Sequence, residues 1–572
     1  MNTIKRGILL LQKPDAIPLI IVIFFALLAS KGLIGAGYFN MHDDLQMMRQ
    51  LSLEKCFLDL QIPCRWIPDM GYGFGYPLFN YYPPLPYLFG EIIRLFGSTF
   101  VDTVKITFAF SFFASGITMY YLAKEFFSRW GGIVAAIFYI WAPYHAVDVY
   151  VRGAMNEAWG LIWFPLILYA AYKLIKNNKS TLKWVVMLAL AWFGLFTSHN
   201  LMVIVFAPFF AAWCGIWLFY SRNWKKIIPL AISGGWSFAL AAFFSLPVLL
   251  EKNIVQTDSL VVGYYEYTAH FASISQILFS RFWGYGPSVW MTADDRMSFQ
   301  IGWIHWIIPI VVALVIGYRF IKYKKISPVL FAVGFMLLLG WFTAFLAHPR
   351  SIFIWQLFPP YQFVQFPWRF LTMVIFGFSF ASAYLAYKLR GVWRYLVGAL
   401  MILGVVVYSW NYFLPEHGHL GPLTDEEKFS GAAWELQQTA GIYDYLPNTA
   451  KTAPKAPRMN LAEFITGSSE ILDEEEGTDW ARFTVKANED ATLRLGLLDF
   501  PEWKVTVNGS EVEEYVPQSE DWGRMYIDVP SGTHIVDIQL QDTWPRTVGN
   551  AISLVSWGVL MGIVILKRKE LV

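Results

Sequence analysis

Charge is scarce in this chain. Of 572 residues only 15% are Asp, Glu, Lys or Arg, where an average soluble protein has about a quarter. A chain that is 56% hydrophobic and 18% aromatic cannot hide that excess in soluble domains, so the composition excludes a mainly water-exposed protein. Base is not in surplus either. Lys and Arg number 44 against 42 Asp and Glu, a net charge of +2, too little for a nucleic-acid partner. Cysteine is rarer still, at three residues. That excludes an iron–sulfur site, and two loop thiols with no nearby His pair do not make a zinc site. Cys214 falls inside an apolar run, where it packs. Cys56 and Cys64 are close enough for a disulfide in an oxidising compartment, but spacing alone does not require one. There is no phosphate-binding Walker sequence, no His-Glu-x-x-His and no solenoid repeat. The Gly71-x-Gly73-x-Gly75 spacing has no strand before it and no helix with a phosphate-binding Lys after it, so it is not a nucleotide loop.

What the chain has is long apolar runs. About twenty apolar residues cross a hydrocarbon core, and such runs occur near 17–37, 102–123, 132–151, 157–176, 183–199, 200–220, 227–250, 300–321, 327–347, 369–388, 392–413 and 548–566, twelve expected spans. The third is broken by Pro143, and the fifth and sixth meet at Thr197-Ser198-His199-Asn200. The first lacks a cleavage site and carries Lys31, so it reads as a span and not a signal peptide. Basic residues orient the spans. With Lys5, Arg6 and Lys13 inside, every alternate connection is basic: Lys124 and Arg129; Lys173, Lys176, Lys179 and Lys183; Arg222, Lys225 and Lys226; Arg319, Lys322, Lys324 and Lys325; Lys388, Arg390 and Arg394; and the tail Lys567, Arg568 and Lys569. The expectation is a multi-pass plasma-membrane protein with both termini in the cytoplasm.

The opposite connections are 38–101, 149–156, 251–299 and 348–368, then a polar stretch from 414. The first is rich in Gly, Pro and Tyr, as irregular backbone at a membrane surface would be. Residues 425–447 read as helix, followed by a Lys/Ala/Pro linker at 451–457. From 480 the pattern has period two, through Arg482–Lys486, Thr492–Leu495, Trp503–Val507, Met525–Val529 and His534–Leu540, with an Asn508-Gly509 hairpin turn. The expected domains are a membrane domain over 1–413, an outer helical and linker segment over 414–479, an outer β-sandwich over 480–546, and a last span with basic tail over 547–572.

Ionisable groups at the edge of a membrane mark function until a partner explains them. They gather on the outer side. Tyr38-Phe39-Asn40-Met41-His42-Asp43-Asp44 leaves the first span, and Asp148, Arg152 and Glu157 flank the third-to-fourth turn. His199 and Asn200 lie at the fifth-to-sixth junction, His270, Arg281, Asp294 and Asp295 in the third outer segment, and Arg369 opens the tenth span. Carboxylates, Arg and His converging on one face suit transfer to a hydroxyl from a phosphate leaving group: a carboxylate removes the acceptor proton and cations hold the departing phosphate. Each has a plainer reading. Asp43 and Asp44 would cap a loop helix, Arg152 would pair structurally with Glu157 or Asp148, His199 would be a packed junction residue, Asp294-Asp295 a solvated turn and Arg369 a snorkelling side chain.

His42-Asp43-Asp44, Gly71–Pro77 with Tyr81-Tyr82-Pro83-Pro84-Leu85-Pro86-Tyr87, Val151-Arg152-Gly153 with Glu157, Ser198-His199-Asn200, Phe366-Pro367-Trp368-Arg369 and Phe500-Pro501-Glu502-Trp503-Lys504-Val505 resemble the YfhO-like bacterial membrane proteins within the GT-C superfamily of polyprenyl-phosphate-dependent glycosyltransferases. The resemblance implies a polytopic α-helical GT-C fold of about twelve spans with an outer β-sandwich. It implies inverting transfer of a sugar from a polyprenyl-phosphate donor to an extracytoplasmic glycan, lipid or polymer acceptor, with Asp43 or Asp44 as base. His42, Tyr81, Arg152, Glu157, His199 and Arg369 would bind substrate. Members differ in metal dependence, which leaves a divalent Mg or Mn ion held by Asp43 and Asp44 open. Membrane lipid is the expected surrounding and nucleic acid is not a partner. The alternative is a transporter or flippase for a lipid-linked glycan, whose broken spans would recur in matching halves; no such symmetry shows in the sequence.

Overall fold

The computed structural model describes residues 14–35, 37–177, 180–286, 288, 297–324, 327–416, 423–567 and 570. Asp294, Asp295, Lys5, Arg6, Lys13, Lys179, Lys325, Arg568 and Lys569 lie outside them. The membrane part is built from α1 (Ala16–Ala29), α2 (Gln46–Leu58), α3 (Leu85–Arg94), α4 (Phe100–Ile140), α5 (Met155–Lys176), α6 (Thr181–Ser198), α7 (Asn200–Ser221), α8 (Ile227–Leu240), α9 (Ala242–Leu250), α10 (Trp303–Tyr323), α11 (Pro328–Leu346), α12 (Leu371–Lys388) and α13 (Val392–Ser409). Then come α14 (Gly431–Thr439), eight strands, and α15 (Trp544–Leu566). Helix starts follow capping chemistry: the hydroxyls of Thr99, Ser327 and Thr543 accept the N–H of Asp102, Leu330 and Arg546, supplying acceptors to first-turn donors that have none within the helix.

Ten helices among the described residues are long and apolar enough to cross a membrane, eleven if a bent pair is one span. That count is lower than the expected twelve because α4 enters it as one helix and a bent pair falls outside it. First, the run of 41 residues forming α4 has Ser128 at φ 71, outside helical space. As one rod it would reach about 60 Å. Instead it doubles back: a methyl on Gly116 would meet Ile140 Cδ1 at 2.5 Å, and one on Gly132 would meet Tyr120 Cδ2 at 2.8 Å. Two expected spans are thus antiparallel limbs of one hairpin. Second, the expected straight span 227–250 is bent by 83° between Trp224–Leu240 and Ala242–Leu250. The last span satisfies the backbone freed there. Ser553 Oγ accepts from Phe243 N at 2.8 Å, and Trp557 Nε1 donates to Leu240 O at 3.3 Å. A break in apolar surroundings needs such partners.

Basic connections collect at one end of the bundle. Lys124 and Arg129 pair with Asp15, Lys173 pairs with Glu125, and Lys226 Nζ donates to Asn177 O. The long aromatic connections meet at the other end, together with the β region.

That region has β1 (Ala462–Thr466), β2 (Ser469–Glu476), β3 (Trp480–Ala487), β4 (Ala491–Leu498), β5 (Trp503–Val507), β6 (Ser510–Val512), β7 (Arg524–Val529) and β8 (Gly532–Leu540). They form two antiparallel sheets in the orders β1-β4-β7 and β2-β3-β8-β5-β6, packed through Phe483, Leu495, Val505, Ile527 and Val536. The sheets begin at 462, not 480. The acidic run of β2 conceals its pattern, and its register shifts between Leu472 and Glu475. The expected helix 425–447 is also corrected. It divides into Asp425–Lys428 and Gly431–Thr439, because Ser430 is extended and Gly431 has φ 55.

The connection between α1 and α4 carries the β region. Cys56 and Cys64 are disulfide-bonded, with 5.5 Å between their Cα atoms. Beside them Asp59 accepts from Thr478 Oγ1 at 2.8 Å and Trp480 Nε1 at 3.0 Å. The Gly71-x-Gly73-x-Gly75 spacing now has its cause. All three have positive φ, a methyl on Gly75 would lie 2.3 Å from the Trp66 indole, and the knuckle so formed accepts Arg458 N at Tyr72 O and Leu498 N at Phe74 O.

Candidate active site

Two backbone bonds join the connection after α1 to the turn between α4 and α5. His42 N donates to Val151 O at 3.1 Å and Asp43 N to Arg152 O at 2.7 Å. Gly153 has φ 62, and a methyl there would meet Met41 Sδ at 2.4 Å, so the glycine of Val151-Arg152-Gly153 permits this approach. Gln46 Nε2 locks the junction by donating to Gly153 O at 2.8 Å.

The two adjacent carboxylates diverge. Asp43 Oδ2 accepts from Arg49 Nη1 at 2.9 Å and Gln46 Nε2 at 3.1 Å. Its other oxygen makes no hydrogen bond with a described residue, and the side chain is 31% exposed. Arg49 is buried, stacks over the Tyr82 ring at 4.2 Å and donates to its hydroxyl at 2.9 Å. Asp44 points the other way and pairs with Lys428 of the C-terminal segment. Burial pushes its carboxyl up, against the pull of Lys428. Leu45 is the N-cap of α2 and no side chain caps it, so neither aspartate fills the capping role. Replacing Asp44 with Asn leaves buried Lys428 without its counter-charge. The expected cost is about 1–3 kcal/mol, with turnover per folded molecule unchanged. Thermal unfolding and a specific-activity assay on D44N check both halves.

Behind Asp43 lies a buried ionic network. Arg152 reaches Asp148 Oδ1 at 2.6 Å and Glu157 Oε2 at 2.9 Å, and Arg369 Nε approaches the same Glu157 oxygen at 3.4 Å. Tyr144 donates to Glu157 Oε1 at 3.3 Å, and the Arg152 guanidinium lies 4.5 Å over Trp368. Burial, then the Glu157 charge, push the Asp148 carboxyl well up from its ordinary value. His199 links α6 to α7; its Nδ1 is buried without a hydrogen-bond partner, and Arg369, Glu157, Arg152 and Asp43 all act on its ring. His42 stacks on Tyr285 with centroids 3.6 Å apart, and burial lowers its imidazole to about 4, so it is neutral at pH 7.

Of the expected site residues, His42, Asp43, Arg152, Glu157, His199 and Arg369 come together. Asp44 sits at the edge, turned to Lys428. Tyr81 is elsewhere: it donates to Glu251 O at 2.9 Å and stacks on Tyr445, beside the buried Glu251–Arg546 pair that anchors the last span. Arg49, Gln46 and Lys428 were not legible as site residues. Arg49 has a weak signal, a cation on the first loop helix six residues after Asp43; Lys428 has none. The donor set does not fit a divalent metal. Asp43 already accepts from a guanidinium and an amide, Asp44 faces an ammonium, and among the described residues no three His, Cys, Asp or Glu side chains are grouped so that they could hold a metal ion.

No family model matches the sequence, so the YfhO-like resemblance rests on its motifs alone. An uncharacterized protein of Lactococcus lactis subsp. cremoris (strain MG1363) is 24% identical over 322 residues, 54% of this chain and 50% of that protein. Among solved structures, arabinofuranosyltransferase AftD from Mycobacteria overlays with a TM-score of 0.45 at 15% identity, over 70% of this chain and 27% of its own. The Archaeoglobus fulgidus oligosaccharyltransferase tethered with an acceptor peptide gives 0.44 at 11%, over 79% and 61%. The same organism's AglB, in complex with an inhibitory peptide and a dolichol-phosphate, gives 0.36 at 12%, over 77% and 61%. This chain spans about half of the Lactococcus protein and less than two thirds of each solved one. Overlays this loose assign it no activity.

Proposed function

We propose that this chain is an integral-membrane glycosyltransferase that moves a sugar from a polyprenyl-phosphate donor to an extracytoplasmic acceptor hydroxyl with inversion. The observation that carries the reading is Asp43: one oxygen held by Arg49 and Gln46, the other free and part-exposed beside a buried cationic network. The free oxygen takes the acceptor proton as the hydroxyl attacks the anomeric carbon from the face opposite the phosphate. Arg152 and Arg369 converge on Glu157, and these two guanidinium groups stabilise the departing polyprenyl phosphate.

The test is reconstitution of the full chain with a panel of polyprenyl-phosphate sugars. Release of polyprenyl phosphate with formation of a new glycosidic bond is expected. Movement of intact donor between leaflets without bond cleavage would replace this reading with the flippase. The site must also face outward. The basic connections at the end of the bundle away from Asp43 support, by the charge rule, the proposed topology with both termini cytoplasmic and 414–547 outside. A thiol introduced as Asn508→Cys, in the exposed turn between β5 and β6, is expected to react with an impermeant maleimide in intact cells. Labelling only after lysis would invert the topology.

A further inference from the structure

Asp444 lies in a short stretch joining α14 to the β region, some 400 residues from Asp43 in sequence. The stretch is laid across the site end. Tyr76 donates to Gly441 O at 2.9 Å and accepts from Tyr445 N at 2.7 Å. Gly441, at φ 68, turns the chain above the start of α2, where a methyl would come within 3.9 Å of Leu45 Cδ1. Ser259 Oγ donates to Tyr443 O at 3.0 Å, and Val255 bridges Pro447. The stretch is thus wedged between the first and third outer connections. It places the Asp444 carboxylate within electrostatic range of Arg49 and Asp43, while Tyr265 feels Asp444, Arg369 and Asp43 together. Asp444 makes no side-chain hydrogen bond or ion pair with any described residue.

A half-buried carboxylate placed near a second carboxylate, with no partner of its own, is a local cost to folding. Such costs concentrate where function needs the group. We infer that Asp444 is an acceptor-binding residue, taking hydroxyls of a carbohydrate acceptor across the site from Asp43, with the Tyr265 ring, which packs on Phe366, within electrostatic range of both carboxylates. This rests on the transferase reading and adds the class of acceptor. A carboxyl and an aromatic ring at one site suit a sugar, which offers adjacent hydroxyls on its edge and C–H groups on its face. It also gives the C-terminal region a part in the chemistry, since the acceptor site is incomplete without the 441–447 stretch.

The stability of the chain carries an independent signature. Burial, then the Asp43 charge against the pull of Arg49, raise the Asp444 carboxyl to about 7. Arg49, Asp43, Tyr76, Tyr265 and Tyr445 are the titratable and charged groups that face it. An acid whose pKa is raised on folding stabilises below its unfolded value, about 3.8, and that contribution is lost as pH rises through 7. Asp444→Asn removes the loss, so the variant unfolds no lower than wild type at pH 8.

The experiment uses the full chain in proteoliposomes, with polyprenyl-phosphate sugars as donors and octyl mono- and disaccharide glycosides as acceptors. Asp444→Asn and Asp444→Ala are expected to raise acceptor KM by about tenfold or more, with donor KM held and the apparent Tm of the Asn variant at pH 8 equal or higher. An unchanged acceptor KM overturns the role. So does a rise that tracks a lowered Tm in both variants, which marks a structural residue. A wild type that hydrolyses donor but glycosylates no saccharide overturns the acceptor class and leaves the Asp43 chemistry standing. A wild type that turns over no donor removes the transferase reading and this inference with it.

Discussion

Asp43→Asn is expected to lower turnover by about 10²–10⁴-fold while donor affinity and folding persist. The amide oxygen can still accept from Arg49 and Gln46, which now hold Oδ2, so the loop keeps its geometry. What disappears is a group able to take a proton at the exposed position. Donor KM should move little, because the phosphate is held by the network behind Asp43 and not by Asp43 itself. The comparison with Asp44→Asn is internal to the molecule: adjacent residues, the same isosteric change, opposite outcomes. Initial rates and donor saturation curves on both purified variants check it. Near-full turnover in D43N would remove Asp43 as base.

Arg152→Met is expected to destabilise the chain by about 3–5 kcal/mol and to abolish activity. Arg152 is held at two carboxylates, Asp148 and Glu157, all three buried. Removing it leaves Glu157 to Arg369 alone, at 3.4 Å, and Asp148 without its cation. Methionine refills the aliphatic volume, so the loss reports the charge and not a cavity. The apparent unfolding temperature in detergent should fall, and the folded yield with it. An Arg152→Met chain as stable as wild type would show the network to be dispensable.

These outcomes depend on groups whose legibility differed in sequence. The apolar runs and basic connections were plain, because a helix in lipid must be apolar along its whole length. The reversal at Ser128 was marked by Lys124 and Arg129. The bend at Ala241 was not, since its stabilising partners, Ser553 and Trp557, lie three hundred residues away. In the β region, strands alternating Val, Ile, Leu and Phe with polar residues stood out, while β1 and the acidic β2 did not. At the site, His42-Asp43 and Arg152–Glu157 were visible because charge beside an apolar span is costly. The divergence of Asp43 from Asp44, set by Arg49 and Lys428, is tertiary. Tyr81 shows the reverse: an aromatic in the right stretch whose hydroxyl donates to Glu251 O, beside the ion pair that anchors the last span.

The central claim is that the free oxygen of Asp43 faces the sugar of a lipid-phosphate donor. It is tested most directly by a cryo-EM structure of the D43N chain in nanodiscs with a non-hydrolysable polyprenyl-phosphonate sugar. The account predicts the phosphonate against Arg152 and Arg369 and the sugar between them and residue 43, with room for a hydroxyl between the Asn side chain and the anomeric carbon. A donor headgroup seated away from residue 43, or at the basic end of the bundle, would contradict it.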